Sequence, residues 1–155
     1  MEDFRDILAP GAVTAALSVP NKRALFQHVA GVAGRLLALD PRAVADCLAD
    51  RERLGSTGFG GGVAIPHGKV QGLDAVAGFV VRLQQPIDFQ AIDGLPVDLV
   101  FLLLSPVNRG VDHLKALARV SRALRDRTLV AKLRGAGSDD ALYALLTDSP
   151  SQDAA

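Results

Sequence analysis

A layered α/β domain, one sheet with helices on both faces, is predicted by three observations. Segments with apolar residues at helical spacing alternate with at least three strand-like runs, the interleaving that a helix-covered sheet requires. The strongest run, residues 97 to 104, is apolar almost throughout, as expected of a strand covered on both faces. The 155 residues carry 17 Lys plus Arg against 17 Asp plus Glu, with 49% hydrophobic residues, the balance of a single soluble globular domain. Such a chain can bury roughly 70% of the surface that its unfolded form exposes, so its core needs no disulfide. The single cysteine, Cys47, could form none within one chain.

Residues 12 to 19 read as a modest strand. Pro20-Asn21 then opens a helix whose apolar positions Leu25, Val29, Val32 and Leu36 recur at helical spacing, with Asn21 as N-cap. Asp40-Pro41 begins a second helix, because Asp caps well and Pro is favoured at the first helical position; it runs to about Leu54, with Gly55 as C-cap. Six of the 15 glycines fall between positions 55 and 68, concentrating backbone freedom where a functional loop needs it. Val63-Ala64-Ile65 reads as a short strand ended by Pro66, which lacks the N–H of a central ladder, and His67 sits at that exit. Residues 75 to 83 and 97 to 104 are the two strongest strands; Pro86 to Phe89 is a shorter piece between them, and Asp93-Gly94 marks a turn. From about Val111 a helix is expected to bury a stripe of Leu114, Leu117, Ala118, Ser121 and Leu124, with His113 in its first turn. Two shorter helices follow at 128 to 134 and 139 to 146, the latter capped by Ser138. The domain is expected over residues 1 to 148, with 149 to 155 as a frayed tail.

Charge balance without a basic block argues against nucleic acid and against an anionic membrane surface, both of which need clustered Lys and Arg. The longest apolar run, Leu99 to Leu104, has six residues where a spanning helix needs about twenty, and the first residues are no signal peptide. A cytoplasmic location is therefore expected.

The glycine cluster does not match the nucleotide motifs it invites. A P-loop needs four residues between its first glycine and Gly-Lys-Ser/Thr, but five separate Gly62 from Gly68-Lys69, and Val70 has no hydroxyl. A dinucleotide fingerprint from Gly58 would put its third glycine at Val63, and the cluster follows a helix where a strand is needed. His28, His67, His113 and Cys47 form no close ligand pair of the kind zinc uses. What remains is His67 beyond a strand end, preceded by glycine N–H groups and the hydroxyls of Ser56 and Thr57: a candidate oxyanion or phosphoryl pocket. Ser56 and Thr57 either donate to that anion or satisfy the loop backbone.

The stretch from Arg51-Glu52 through Gly55-Ser56-Thr57-Gly58 to Ile65-Pro66-His67-Gly68-Lys69 resembles the phosphorylation-site motif of bacterial phosphotransferase-system IIA domains of the fructose/mannitol class, above all their nitrogen-regulatory branch. The resemblance covers about residues 5 to 147 and includes Ala91 to Leu99 and Asp112-His113-Leu114. It implies a three-layer α/β/α sandwich around a mixed sheet. By position, His67 corresponds to the phosphorylated histidine, His113 to a second active-site histidine and Arg51 to the arginine accompanying them, while Ser56, Thr57 and Gly58 fall in the phosphoryl-binding loop. It further implies an HPr-like phosphocarrier as donor, regulatory targets such as potassium-transport or sensor-kinase proteins, and no metal or other cofactor, since the donor is itself a phosphohistidine. Two other readings remain open: a sugar-transport component that passes the group to a IIB cysteine, and a module that binds an anion or metabolite without covalent transfer.

Overall fold

The apolar run of residues 99 to 104 is the middle of the longest buried strand, and its alternation builds both halves of the core. Val100, Leu102 and Leu104 turn to one face; Leu99, Phe101 and Leu103 turn to the other. All six are at most 1% exposed. The computed structural model describes residues 3–147; the tail expected after 148 lies outside them. Its elements are β1 (Val13–Leu17), α1 (Lys22–Leu37), α2 (Pro41–Leu54), β2 (Gly58–Gly60), β3 (Val63–Ala64), β4 (His67–Val70), β5 (Ala77–Ile87), β6 (Val97–Pro106), α3 (Gly110–Leu124), α4 (Arg127–Gly135) and α5 (Asp139–Thr147). The sheet runs β1-β5-β6-β3-β2, with β4 following β3 along the same side of β6. It is mixed: β1 is parallel to β5, β3 and β4 are parallel to β6, and the β5–β6 and β2–β3 pairs are antiparallel. With α1 and α2 packed on one face and α3, α4 and α5 on the other, the architecture is the expected three-layer sandwich in one domain.

Locally encoded features stand where the sequence puts them. Asn21 Oδ1 accepts from the Ala24 N–H at 3.0 Å, Asp40 Oδ1 from Arg42 at 3.1 Å and Ser138 Oγ from Ala141 at 3.1 Å. Gly55 caps α2, its N–H donating to the Glu52 carbonyl. Gly94, at φ 74°, closes the turn back to the Ala91 carbonyl.

Four expectations need correction. The glycine stretch is not simply a loop: Gly58–Gly60 and Val63–Ala64 form a narrow hairpin whose turn, Gly60 to Gly62, has positive φ throughout. Arg134 of α4 pins that turn, donating to the Gly61 carbonyl at 2.7 Å and pairing with Asp98 at 2.8 Å. His67 lies just beyond the end of β3, as expected, but it does not leave the sheet: it opens β4, opposite Leu103. Pro86 and Ile87 belong to β5, whose register with β6 shifts between Arg82 and Ile87; that irregularity accommodates the missing proline N–H. Finally, α3 is rotated by about one residue from the expected stripe. It buries His113, Ala116, Val120, Ala123 and Leu124 and leaves Leu114 66% exposed, because the helix docks with His113 turned inward to Ser105.

Behind β4, α2 approaches so closely that a Cβ on Gly68 would fall 2.3 Å from Cys47 Sγ. The Cys47 thiol donates to the Lys69 carbonyl at 3.1 Å, and burial raises its pKa, as befits a packed group. Gly68→Ala should therefore lower stability by about 1–3 kcal/mol. Adding Cys47→Ala should restore most of that loss, since the remaining Cβ contact is an ordinary 3.7 Å; urea unfolding of the four proteins of this cycle checks the coupling.

Candidate functional site

Pro66 creates the geometry around His67. Lacking an N–H, it interrupts the edge formed by β3 and β4 while its carbonyl still accepts from Leu103 N at 2.9 Å. The Ile65 carbonyl lies 2.8 Å from His67 Nδ1. A carbonyl can only accept, so Nδ1 carries the proton and the neutral ring keeps its lone pair on Nε2. Arg51, in the last turn of α2, donates its Nε–H to that nitrogen at 3.2 Å and an Nη1–H to the Gly55 carbonyl at 3.0 Å. Burial lowers the pKa of His67 and the Arg51 charge lowers it further, outweighing the opposing influence of the Ile65 carbonyl and Glu52.

His113 comes from the far side, on the first turn of α3. Its ring centroid is 5.4 Å from that of His67, with the planes at 52°. It is 7% exposed, and its Nδ1 lies 2.5 Å from Ser105 Oγ. Burial lowers its pKa, and the charges of His67 and Lys69 lower it further. The structure thus brings together Arg51, His67 and His113, positions separated by 62 residues along the chain from first to last.

Ser56 and Thr57 line a cavity of about 390 Å³ with Arg51, His67 and Arg125. Their protons are engaged within the loop. Ser56 Oγ donates to the Phe89 carbonyl at 2.6 Å and accepts from the Gly58 N–H at 3.1 Å; Thr57 Oγ1 donates to Glu52 at 2.6 Å. Gly58 is close-packed as well, since a Cβ there would meet the Ala91 Cβ at 2.9 Å. The stripe expected to be core on α3 instead contributes Leu117, Ala118 and Ser121 to the cavity wall. Larger hollows of about 840 and 610 Å³ lie elsewhere, but neither contains an imidazole, so size does not mark the chemistry. Among the described residues, no group of three or more His, Cys, Asp or Glu could hold a metal ion, and no helix is long and apolar enough to cross a membrane.

Two further residues matter here, and neither was assigned a role from the sequence. Glu52 is the tie beneath the loop: it accepts from the Thr57 N–H and hydroxyl and from Lys22 Nζ at 2.7 Å, with the Lys22 and Glu52 side chains only 16% and 7% exposed. Ser105 was legible as the first polar residue after six apolar ones in β6, but its partner was not.

The family model described as the phosphoenolpyruvate-dependent sugar phosphotransferase system, EIIA 2, matches residues 6–149. A nitrogen regulatory protein of Bradyrhizobium diazoefficiens is 48% identical over 145 residues, covering 94% of this chain and 95% of that protein. One from Escherichia coli is 45% identical over 131 residues, covering 83% and 80%. The crystal structure of nitrogen regulatory protein IIA-Ntr from Neisseria meningitidis superposes with a TM-score of 0.85 at 35% identity, covering 92% of this chain and 97% of that one. The mannitol IIA of Escherichia coli, at 20% identity, 90% and 98% coverage and a TM-score of 0.74, shares the fold.

His28, His67 and His113 all have folded-state pKa values below their ordinary 6.5. The unfolded chain therefore binds protons first as pH falls, and the stability these neutral rings contribute is present above about 6.5 and lost below it. Urea titrations should show the free energy of unfolding falling from pH 7.5 to 5, less steeply in His67→Asn; an equal slope would contradict the depressed His67 pKa. Glu52→Ala, which strands the Lys22 ammonium, should cost about 3 kcal/mol in the same assay.

Proposed function

Because the chain belongs to the EIIA 2 family of the phosphotransferase system, together with its nitrogen regulatory proteins, we propose that it is a regulatory phosphoryl acceptor. His67 takes the group from the phosphohistidine of an HPr-like carrier, and the phosphorylation state is read by other proteins, among them potassium-transport or sensor-kinase targets. The observation that carries this reading is the half-buried His67, whose unprotonated Nε2 faces Arg51 and lies beside a second imidazole.

In the transfer, the carrier's N–P bond breaks and a bond from His67 Nε2 to phosphorus forms. The attacking ring keeps its Nδ1 proton on the Ile65 carbonyl and takes on the positive charge that the leaving imidazole gives up, so no proton has to move. Phosphoryl transfer passes through a loose transition state with charge on the equatorial oxygens, so the work of the site is alignment and electrostatics. Arg51, anchored on Gly55, would pass from the lone pair of Nε2 to those oxygens as the bond forms. His113 would donate from the opposite side, and Ser56, Thr57 and Gly58 would wall the pocket. Metal chemistry has no step to perform, because the donor is another protein's phosphohistidine.

A protein donor also suits the surroundings. Leu54, Ile92, Val111 and Leu114 are 84%, 87%, 67% and 66% exposed. They sit on the segments that carry Arg51, hold Gly58 and carry His113, and apolar side chains left in water around a charged centre favour a macromolecular partner.

Incubation with phosphorylated HPr-like carrier should place an acid-labile phosphate on the wild type and none on His67→Ala. Labelling that persists in His67→Ala would overturn the proposal. Arg51→Ala should slow labelling about ten- to hundredfold, the worth of one or two charge-assisted hydrogen bonds at a partly desolvated centre. Rapid onward transfer to a IIB cysteine would replace the regulatory role with sugar transport.

A further inference from the structure

Building on the phosphoryl-transfer reading, we infer that Ser105 is a positioning residue: its hydroxyl holds His113 in the Nε2–H tautomer, opposite to that of His67, so that one imidazole presents a lone pair and its neighbour an N–H. Ser105 lies at the end of β6 on the same face as Leu99, Phe101 and Leu103, paired with Lys69 of β4. It is wholly buried, and its Oγ is 2.5 Å from His113 Nδ1. Among the described residues that nitrogen is the one hydrogen-bond partner of the hydroxyl.

The direction of the bond follows. If Nδ1 carried the proton, the hydroxyl could only accept, and its own hydrogen would be buried without an acceptor, at a cost of about 1–3 kcal/mol. With the hydroxyl donating, both groups are satisfied and the ring proton goes to Nε2, the nitrogen turned away from Ser105. His67 has the reverse arrangement, since the Ile65 carbonyl demands a proton on Nδ1. Two rings 5.4 Å apart are thus fixed in complementary states by two different buried oxygens.

This arrangement lets His113 serve without becoming charged. A cation at His113 is opposed above all by burial, and also by the charge of Lys69. A neutral ring donating from Nε2 can still hydrogen-bond an oxygen of a phosphoryl group on His67, provided the proton is on that nitrogen. Ser105 supplies that condition, as outer-shell partners orient functional histidines elsewhere.

Long-range proton–nitrogen correlation spectra of the uniformly labelled wild type at pH 7.5 test the assignment directly. The expected result is a protonated Nε2 and bare Nδ1 on His113, with the reverse on His67; a proton on His113 Nδ1 would overturn the inference even if Ser105→Ala proved unstable. In phosphorylation by the carrier, Ser105→Ala should slow labelling of His67 about tenfold in the wild-type background and add nothing in His113→Ala. An equal additional loss in both backgrounds would show a general structural effect and defeat the positioning role. A wild-type chain that accepts no phosphoryl group would overturn the transfer reading while the tautomers remained readable, which keeps the two failures apart.

Discussion

The hydrogen bond from His67 Nδ1 to the Ile65 carbonyl, 2.8 Å long, decides which nitrogen can act, and several unrelated features of the chain exist in support of it. The bond needs a carbonyl at the right place, and the Ile65 carbonyl stands there at the break between β3 and β4, where Pro66 has no N–H to continue the ladder. It needs β4 to resume at once, so that the ring is carried on a rigid strand, and pairing of His67 with Leu103 supplies that. It needs the ring to be partly desolvated, which disfavours its protonated form, and His113 and the α3 residues Leu117 and Ala118 lie beside it. Each condition would be unremarkable alone; together they leave Nε2 with a lone pair that needs no separate base to expose it, as the proposed transfer requires.

The electrostatics around this centre suit the anion that the proposed function brings to it. Arg51 supplies a cation within hydrogen-bond reach of Nε2, while burial and neighbouring charge disfavour the protonated form of the second imidazole. A positive centre with two neutral rings can admit a phosphoryl group without first expelling a proton, and can release it to a partner without gaining one. The chain as a whole has 17 positive and 17 negative side chains, so a phosphoryl group would add its negative charge at one place on an otherwise balanced molecule. Under the proposed function, the exposed apolar side chains on the adjoining segments are what a partner would hold while it read that charge.

How much was legible depends on the range of the interaction concerned. The caps at Asn21, Asp40 and Ser138 are bonds between residues two or three apart, and the sequence anticipates each of them. The alternation of β6 follows from its composition, since only a doubly covered strand tolerates six consecutive large apolar residues. The strands β2 and β4, three and four residues long, were not anticipated, because so short a segment has no periodicity of its own and is a strand only through its neighbour. The face of α3 was misjudged because two stripes, one residue apart, share Leu124 and are both largely apolar or small. Nothing within the helix prefers one, and the bond from Ser105 to His113 selects the other.

By itself the sequence determined the class of fold and the family-like motif running from Arg51 to Lys69, and with it the proposal that His67 is the reactive residue. Those are consequences of local chemistry: the conformational limits of Pro and Gly, the capping power of Asn and Asp, and the patterning of apolar side chains. Tertiary structure decided that Arg51, His67, Ser105 and His113 meet, and which nitrogen of each ring holds its proton. A tautomer depends on the oxygen that the other nitrogen touches, and for His113 that oxygen arrives on a different element, so no reading of the helix alone could place it.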